Sequence, residues 1–202
     1  MILPYDPSSI KQAAEIIVRG GLIAFRTDTF YGLGANPFYV AAVRRIKELK
    51  GREEAKPILI LVSDRDQVTR FIDQFSLEFE RLAGQFWPGP LTLIGAARSE
   101  VAGELTAGTG TIGVRLPADE DVRALVRACG GALTATSANP SSRPAAKTAD
   151  EVAAYFPSGI DLIIDGGESG SDQPSTVLDV SGGEVYLVRE GAISMSDIRR
   201  RA

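Results

Sequence analysis

Short apolar runs, each too brief for an independent helix, alternate along this chain with segments whose apolar residues recur every three or four positions. Residues 22–25, 57–62, 91–97, 111–116 and 132–136 read as buried strands. The spacing predicts helices over 10–19, 40–50, 65–72, 77–86 and 121–129. A short helix over 150–156 then precedes three strands at 162–164, 176–180 and 185–188 that follow one another directly. Strict alternation builds a layered α/β domain, and consecutive strands make its sheet mixed rather than wholly parallel. No repeat or low-complexity linker interrupts the pattern, so residues 1–202 are expected to form a single domain.

The punctuation agrees. Ser8 or Ser9 is placed to cap the first helix, and Gly20 with Gly21 stops it. Val43, Ile46 and Leu49 form one stripe of the second helix, and Gly51 closes it. Residues 26–34 read as a loop, a glycine-rich connection runs through Gly103, Gly108 and Gly110, and Ser194 can cap a closing helix.

Composition removes whole classes of chemistry. The chain has no histidine, which excludes Ser-His-Asp hydrolysis, histidine-zinc catalysis and imidazole acid–base work. Cys129 is the only cysteine, so neither an internal disulfide nor a cysteine-built zinc site can form, and its apolar setting reads as a small buried hydrophobe. A net charge of −4 argues against a broad nucleic-acid-binding face but leaves room for a local basic cavity. The N-terminus carries no secretory pattern, and no apolar run approaches the roughly 18–20 residues of a membrane span. A cytoplasmic protein with no membrane contact is expected.

The common phosphate loops are missing. There is no Gly-x-x-x-x-Gly-Lys-Ser/Thr, and Gly32-Leu33-Gly34 is followed by Pro37 where a dinucleotide fingerprint needs its third glycine. Three other segments carry reactive groups. Residues 27–34 place hydroxyls and the Asp28 carboxylate at the end of a buried strand, beside glycines that admit a ligand to the backbone, although a polar turn would look the same. Lys50, Arg52 and Lys56 concentrate charge at the end of a helix, where cations also complement the dipole. Thr134, Thr136, Ser137 and Asn139 enter a turn that Pro140 terminates, which turn chemistry alone could explain.

Taken together and in this order, these segments resemble the YrdC/Sua5 family over nearly the whole chain. The family motif Thr-Asp-Thr-x-Tyr-Gly-Leu corresponds to Thr27–Leu33, Lys-x-Arg to Lys50 and Arg52, and Ser-x-Asn to Ser137 and Asn139. Segments 87–92, 113–117, 174–177 and 188–191 match as well. The resemblance implies a twisted mixed sheet with flanking helices around a positively lined cavity. It implies a nucleotidyltransferase that makes threonylcarbamoyl-AMP and pyrophosphate from L-threonine, bicarbonate and ATP, with Mg²⁺ accompanying ATP through phosphate and water ligands. The product would feed the t6A transferase machinery that modifies position 37 of tRNA, and the resemblance admits a direct tRNA contact.

It further implies catalytic roles for Lys50 and Arg52, and places Thr29, Arg115 and Ser175 around threonine. Arg52, Lys56, Thr111, Ser137, Asn139 and Arg189 fall to ATP, with Arg143 a weaker candidate. Asp28 is equally open to a structural or a metal-linked part. This sequence departs from the family at Arg26 and Glu53, which replace prolines, and at Ser142, where glycine is frequent. Arg26 is expected to add charge at the cavity mouth. Ending at Ala202 soon after the Val-Arg-Glu-Gly segment, the chain resembles the family's short form. Two other functions compete: an RNA-binding module of the same fold, and the carbamoyl-adenylate step of hydrogenase maturation, whose longer chains bear cysteine-rich zinc elements.

Overall fold

A computed structural model describes residues 1–51 and 56–201. In chain order the strands are β1 (Ile2–Pro4), β2 (Ile23–Phe25), β3 (Gly32–Gly34), β4 (Leu59–Val62), β5 (Leu91–Ala96), β6 (Thr111–Arg115), β7 (Ala132–Ser137), β8 (Leu162–Asp165), β9 (Thr176–Asp179) and β10 (Tyr186–Arg189). The helices are α1 (Pro7–Val18), α2 (Val40–Lys50), α3 (Leu77–Phe86), α4 (Gly103–Thr106), α5 (Glu120–Ala128), α6 (Ala149–Tyr155) and α7 (Met195–Arg201). The strands form one sheet in the order β1-β8-β2-β3-β7-β4-β6-β5-β9-β10. It is mixed, as expected: β2 runs parallel to β8, and β5 to β9, while β7 is antiparallel to both β3 and β4.

Two apolar clusters cover the two faces. Ile60, Val62, Leu93 and Val114 point into the larger cluster with Val43 and Ile46 of α2 and Phe79 and Leu82 of α3. Phe25, Leu61, Leu133 and Ile164 point the other way, onto Ala13 and Ile17 of α1 and Val122 and Leu125 of α5. Each strand therefore sorts its residues by the two-residue period of a pleated strand.

Several local expectations need correcting. The cap of α1 is Asp6, whose carboxylate accepts the Ser9 N–H at 2.8 Å, rather than Ser8 or Ser9. Pro7 at the first helical position fixes φ and has no N–H to satisfy, which moves the start one turn earlier. Residues 65–70 form a 3-10 turn instead of an α-helix. Strand β3 lies in the stretch read as a loop, and β1 where no element was expected. Sheet partners create both, because Ile2–Pro4 pairs with β8 and Gly32–Gly34 is held between β2 and β7. The glycine-rich connection contains the one-turn helix α4. Gly51 does close α2, in the left-handed conformation at φ 57°.

Candidate functional site

Helices α1 and α5 pack over β2, β8, β4 and β7, but leave the same face of β6, β5 and β9 open. Alternation turns Gly113 and Arg115 of β6, Thr92 and Ile94 of β5, and Val177 of β9 onto that open face. Loop 26–31, the end of β7 and the end of β10 close round it, leaving a cavity of about 520 Å³. That volume suits a small-molecule site.

The charged groups lining the cavity, among the described residues, are both arginines. Arg115 is 3% exposed. Its Nε donates to the Gly89 carbonyl at 3.1 Å and its Nη1 to Thr29 Oγ1 at 3.3 Å. Its Nη2 lies 2.5 Å from Asp28 Oδ1, an ion pair in which neither atom has a well-directed hydrogen bond. Asp28 Oδ2 accepts the Ala118 N–H at 3.2 Å. Asp28 thus braces Arg115, which is the structural part left open for it from sequence. Burial pulls the Arg115 guanidinium below its ordinary range while Asp28 opposes the shift.

Arg189, at the end of β10, donates through Nε and Nη2 to the Ser175 carbonyl at 3.1 and 2.8 Å, and through Nη2 to Ser175 Oγ at 3.1 Å. Ser175 Oγ also lies 3.0 Å from Thr92 Oγ1. Burial, and after it the like charge of Arg115, lowers the Arg189 guanidinium. Gly191 secures this corner. A Cβ there would lie 2.2 Å from the Pro174 carbonyl oxygen, so only glycine admits the approach that lets the Gly191 and Ile193 N–H groups reach Thr176 Oγ1. The contact explains why segments 174–177 and 188–191 belong together.

Thr29, Arg115, Ser137, Ser175 and Arg189, all selected from sequence, therefore line this cavity together. Thr111 shares the face of Gly113 and Arg115 by strand period, one step beyond the lining residues. Lys50 lies behind that wall. It is 3% exposed, and its Nζ donates to the Ser137 carbonyl and, at 2.6 Å, to the Asn139 carbonyl. Its own carbonyl accepts the Ser141 N–H at 2.9 Å. Asn139 is buried, with Nδ2 donating to the carbonyls of Pro140 and Arg143 and Oδ1 left without a partner. Lys56 and Arg143 are exposed. Arg52 and Glu53 lie outside the described residues.

Arg26 corrects an expectation. Its guanidinium pairs with Asp119 at 2.9 Å and so adds no free charge to the cavity mouth. Ser142 adopts φ 69°, the left-handed region that explains the glycine frequent there. Cys129 is buried, and burial pushes its thiol up to about 12, which fits an inert packing residue. No helix among the described residues is long and apolar enough to cross a membrane. Sequence reading missed Thr92 and the apolar wall of Leu59, Leu61, Ile94 and Val177. Their signal was period-two alternation, which shows which residues share a face but not which face stays uncovered.

Fold and site together define an α/β domain whose mixed sheet carries a cavity lined by hydroxyls, two arginines and apolar side chains. The Sua5/YciO/YrdC family model, described as telomere recombination, matches residues 15–191, and the chain belongs to that family. A threonylcarbamoyl-AMP synthase of Pyrococcus abyssi is 39% identical over 95% of this chain and 56% of its own length. One from Halorhodospira halophila is 34% identical over 91% of this chain and 95% of its own. The crystal structure of P. abyssi Sua5 complexed with L-threonine superposes with a TM-score of 0.95 at 36% identity, covering 100% of this chain and 60% of that one. The chain thus spans little more than half of the P. abyssi relative.

Proposed function

We propose that this chain is a threonylcarbamoyl-AMP synthase, with residues 1–202 acting as one domain of that kind. The observation that carries the reading is the pair of arginines, buried Arg115 and exposed Arg189, set among hydroxyls in a cavity that no carboxylate lines among the described residues. Relatives named threonylcarbamoyl-AMP synthase, and the threonine bound in P. abyssi Sua5, support it over an RNA-binding module.

In this reading Arg115 receives the threonine carboxylate through charge-assisted hydrogen bonds, with Thr29 and Ser175 supplying hydroxyls beside it. The threonine amine joins CO₂ from bicarbonate to give a carbamate. A carbamate oxygen attacks the α-phosphorus of ATP, the new O–P bond forms, and the bond to the β-phosphate oxygen breaks to release pyrophosphate. Carbamate and triphosphate are both anions, so their repulsion must be neutralised before they meet. Such transfer depends on positioning and electrostatic stabilisation, which a chain without histidine can provide.

Arg189, Ser137, Thr111, Lys56, Asn139 and Arg52 serve the ATP side, with Arg143 as an outer candidate. Lys50 serves it by holding the Ser137–Asn139 turn. Mg²⁺ enters as part of the ATP substrate, its remaining ligands being phosphates and water. The product passes to a t6A transferase in the cytoplasm, and a direct tRNA contact belongs to that handover. Incubating the protein with ATP, L-threonine, bicarbonate and Mg²⁺ and identifying products by mass spectrometry tests the reading. Threonylcarbamoyl-AMP should form only when all three substrates are present. Pyrophosphate release indifferent to threonine and bicarbonate would overturn it.

A further inference from the structure

We propose that Asp28 is a positioning residue that fixes Arg115 and holds the inner wall of the cavity at a single net positive charge, so that this wall takes a monoanionic carboxylate and rejects phosphate dianions. The proposal rests on the reading above in one respect, that Arg115 receives an amino-acid carboxylate.

Asp28 stands behind Arg115 and is not itself among the lining residues. Its Oδ2 is anchored by the Ala118 N–H at 3.2 Å, and its Oδ1 lies 2.5 Å from Arg115 Nη2. The guanidinium is thereby held from three sides, with Gly89 on Nε and Thr29 on Nη1. The side chains of Arg115 and Asp28 are 4% and 15% exposed, so their charges are poorly screened by water. Among the described residues Arg189, itself exposed, is the other charged group lining the cavity. Among the described residues, two guanidiniums opposed by one carboxylate leave one positive charge to be matched.

A carboxylate brings the wall to neutrality. A phosphate dianion leaves it negative in a site where uncompensated charge is costly. The incomplete hydrogen bonding of the Asp28–Arg115 pair fits this role, because Asp28 Oδ1 makes a close ion pair without a directed bond and Arg115 Nη2 keeps donor capacity. One consequence is directional. The triphosphate is turned away from Arg115, the arginine that Asp28 opposes, and left to Arg189 and the Ser137 end, so the two substrates cannot exchange places.

The test is selectivity measured by binding. Asp28→Asn keeps the shape and an oxygen for the Ala118 N–H while removing the charge. Dissociation constants for inorganic phosphate and for L-threonine are measured by calorimetry at pH 8 for wild type, D28N and the double variant D28N/R189Q. The affinity ratio of phosphate to threonine should rise about 10- to 100-fold in D28N, as expected for one unscreened charge at this range. It should fall back in the double variant, where the net charge is restored. Should D28N not fold by circular dichroism, Asp28→Ser, which can also accept from Ala118, is read in the same way. A ratio unchanged in the folded variant, even with both affinities reduced, would mean that Asp28 is only structural and would overturn the proposal. Wild type that binds no threonine would instead sink the carboxylate reading, while the phosphate titration of D28N still tests the charge.

Discussion

Replacing Lys50 with methionine keeps the length of the side chain and removes its ammonium. In the structure that ammonium is buried and donates to the carbonyls of Ser137 and Asn139. A hydrogen bond to a charged group contributes about 1.5–3 kcal/mol, so two of them are worth roughly 3–6 kcal/mol. Relief of the desolvated ammonium offsets part of this, and a net loss of about 3–5 kcal/mol is expected, the scale for removing one partner from a buried charged contact. For a domain of this size each kcal/mol shifts the melting temperature by roughly 2–4 °C, which places the expected fall at about 6–20 °C.

The kinetic signature should be local. The Ser137–Asn139 turn also rests on the Ser141 N–H bond to the Lys50 carbonyl, which the substitution leaves in place. The turn should loosen rather than disappear, and the requirement for ATP should rise well before that for threonine. Differential scanning calorimetry and steady-state kinetics with each substrate varied in turn measure both effects. A melting temperature within about 2 °C of wild type, combined with collapsed synthesis, would refute the reasoning. It would mean that the ammonium acts on substrate rather than on those carbonyls.

Arg115→Lys should raise the threonine requirement about 10- to 150-fold with a much smaller effect on ATP, since an ammonium cannot reproduce the forked contact; equal weakening in a two-substrate kinetic assay would mark Arg115 as structural. Ser142→Gly should stabilise the protein by about 0.5–1 kcal/mol in urea unfolding, because relief of left-handed strain at φ 69° exceeds the added freedom of the unfolded chain; a loss of stability would contradict it. Tyr31 donates its hydroxyl to the Gly167 carbonyl at 2.8 Å, and burial raises its phenol to about 12 from 10.0. The folded state therefore holds that proton more tightly than the unfolded chain. The associated stability is complete below pH 10 and is lost as pH rises toward 12, a slope that Tyr31→Phe should reduce in melts across that window.

What was legible in the sequence follows from which forces are local. Helix α2 announced itself through Val43, Ile46, Leu49 and Gly51, all of which act within a few residues of one another. Arg115 and Ser175 were selected through the ordered motifs, and the cavity brings both together. The brace between Asp28 and Arg115, by contrast, joins side chains far apart in sequence, and nothing local to either predicts it. Strand β3 was unreadable for a related reason: Gly32 and Gly34 carry no strand preference of their own, and backbone pairing with β2 and β7 decides their conformation. The cap of α1 was misplaced because Asp6, Ser8 and Ser9 all carry capping oxygens, and Pro7, which opens the helix, leaves Asp6 alone outside it.

The cavity draws on residues from Thr27 to Arg189, and its last two polar contributors, Ser175 and Arg189, stand on either side of β9. Strand β9 must find β5, and β10 must then find β9, before either side chain reaches the wall. Pairings of such large sequence separation form slowly, because loop closure is paid before contacts accumulate. During synthesis the N-terminal portion emerges first. Every earlier assembly of strands thus lacks the Arg189 corner, and a ligand that needs this corner stabilises only the finished fold. Substrate cannot act as a folding template here; it can only select chains that have already completed the sheet.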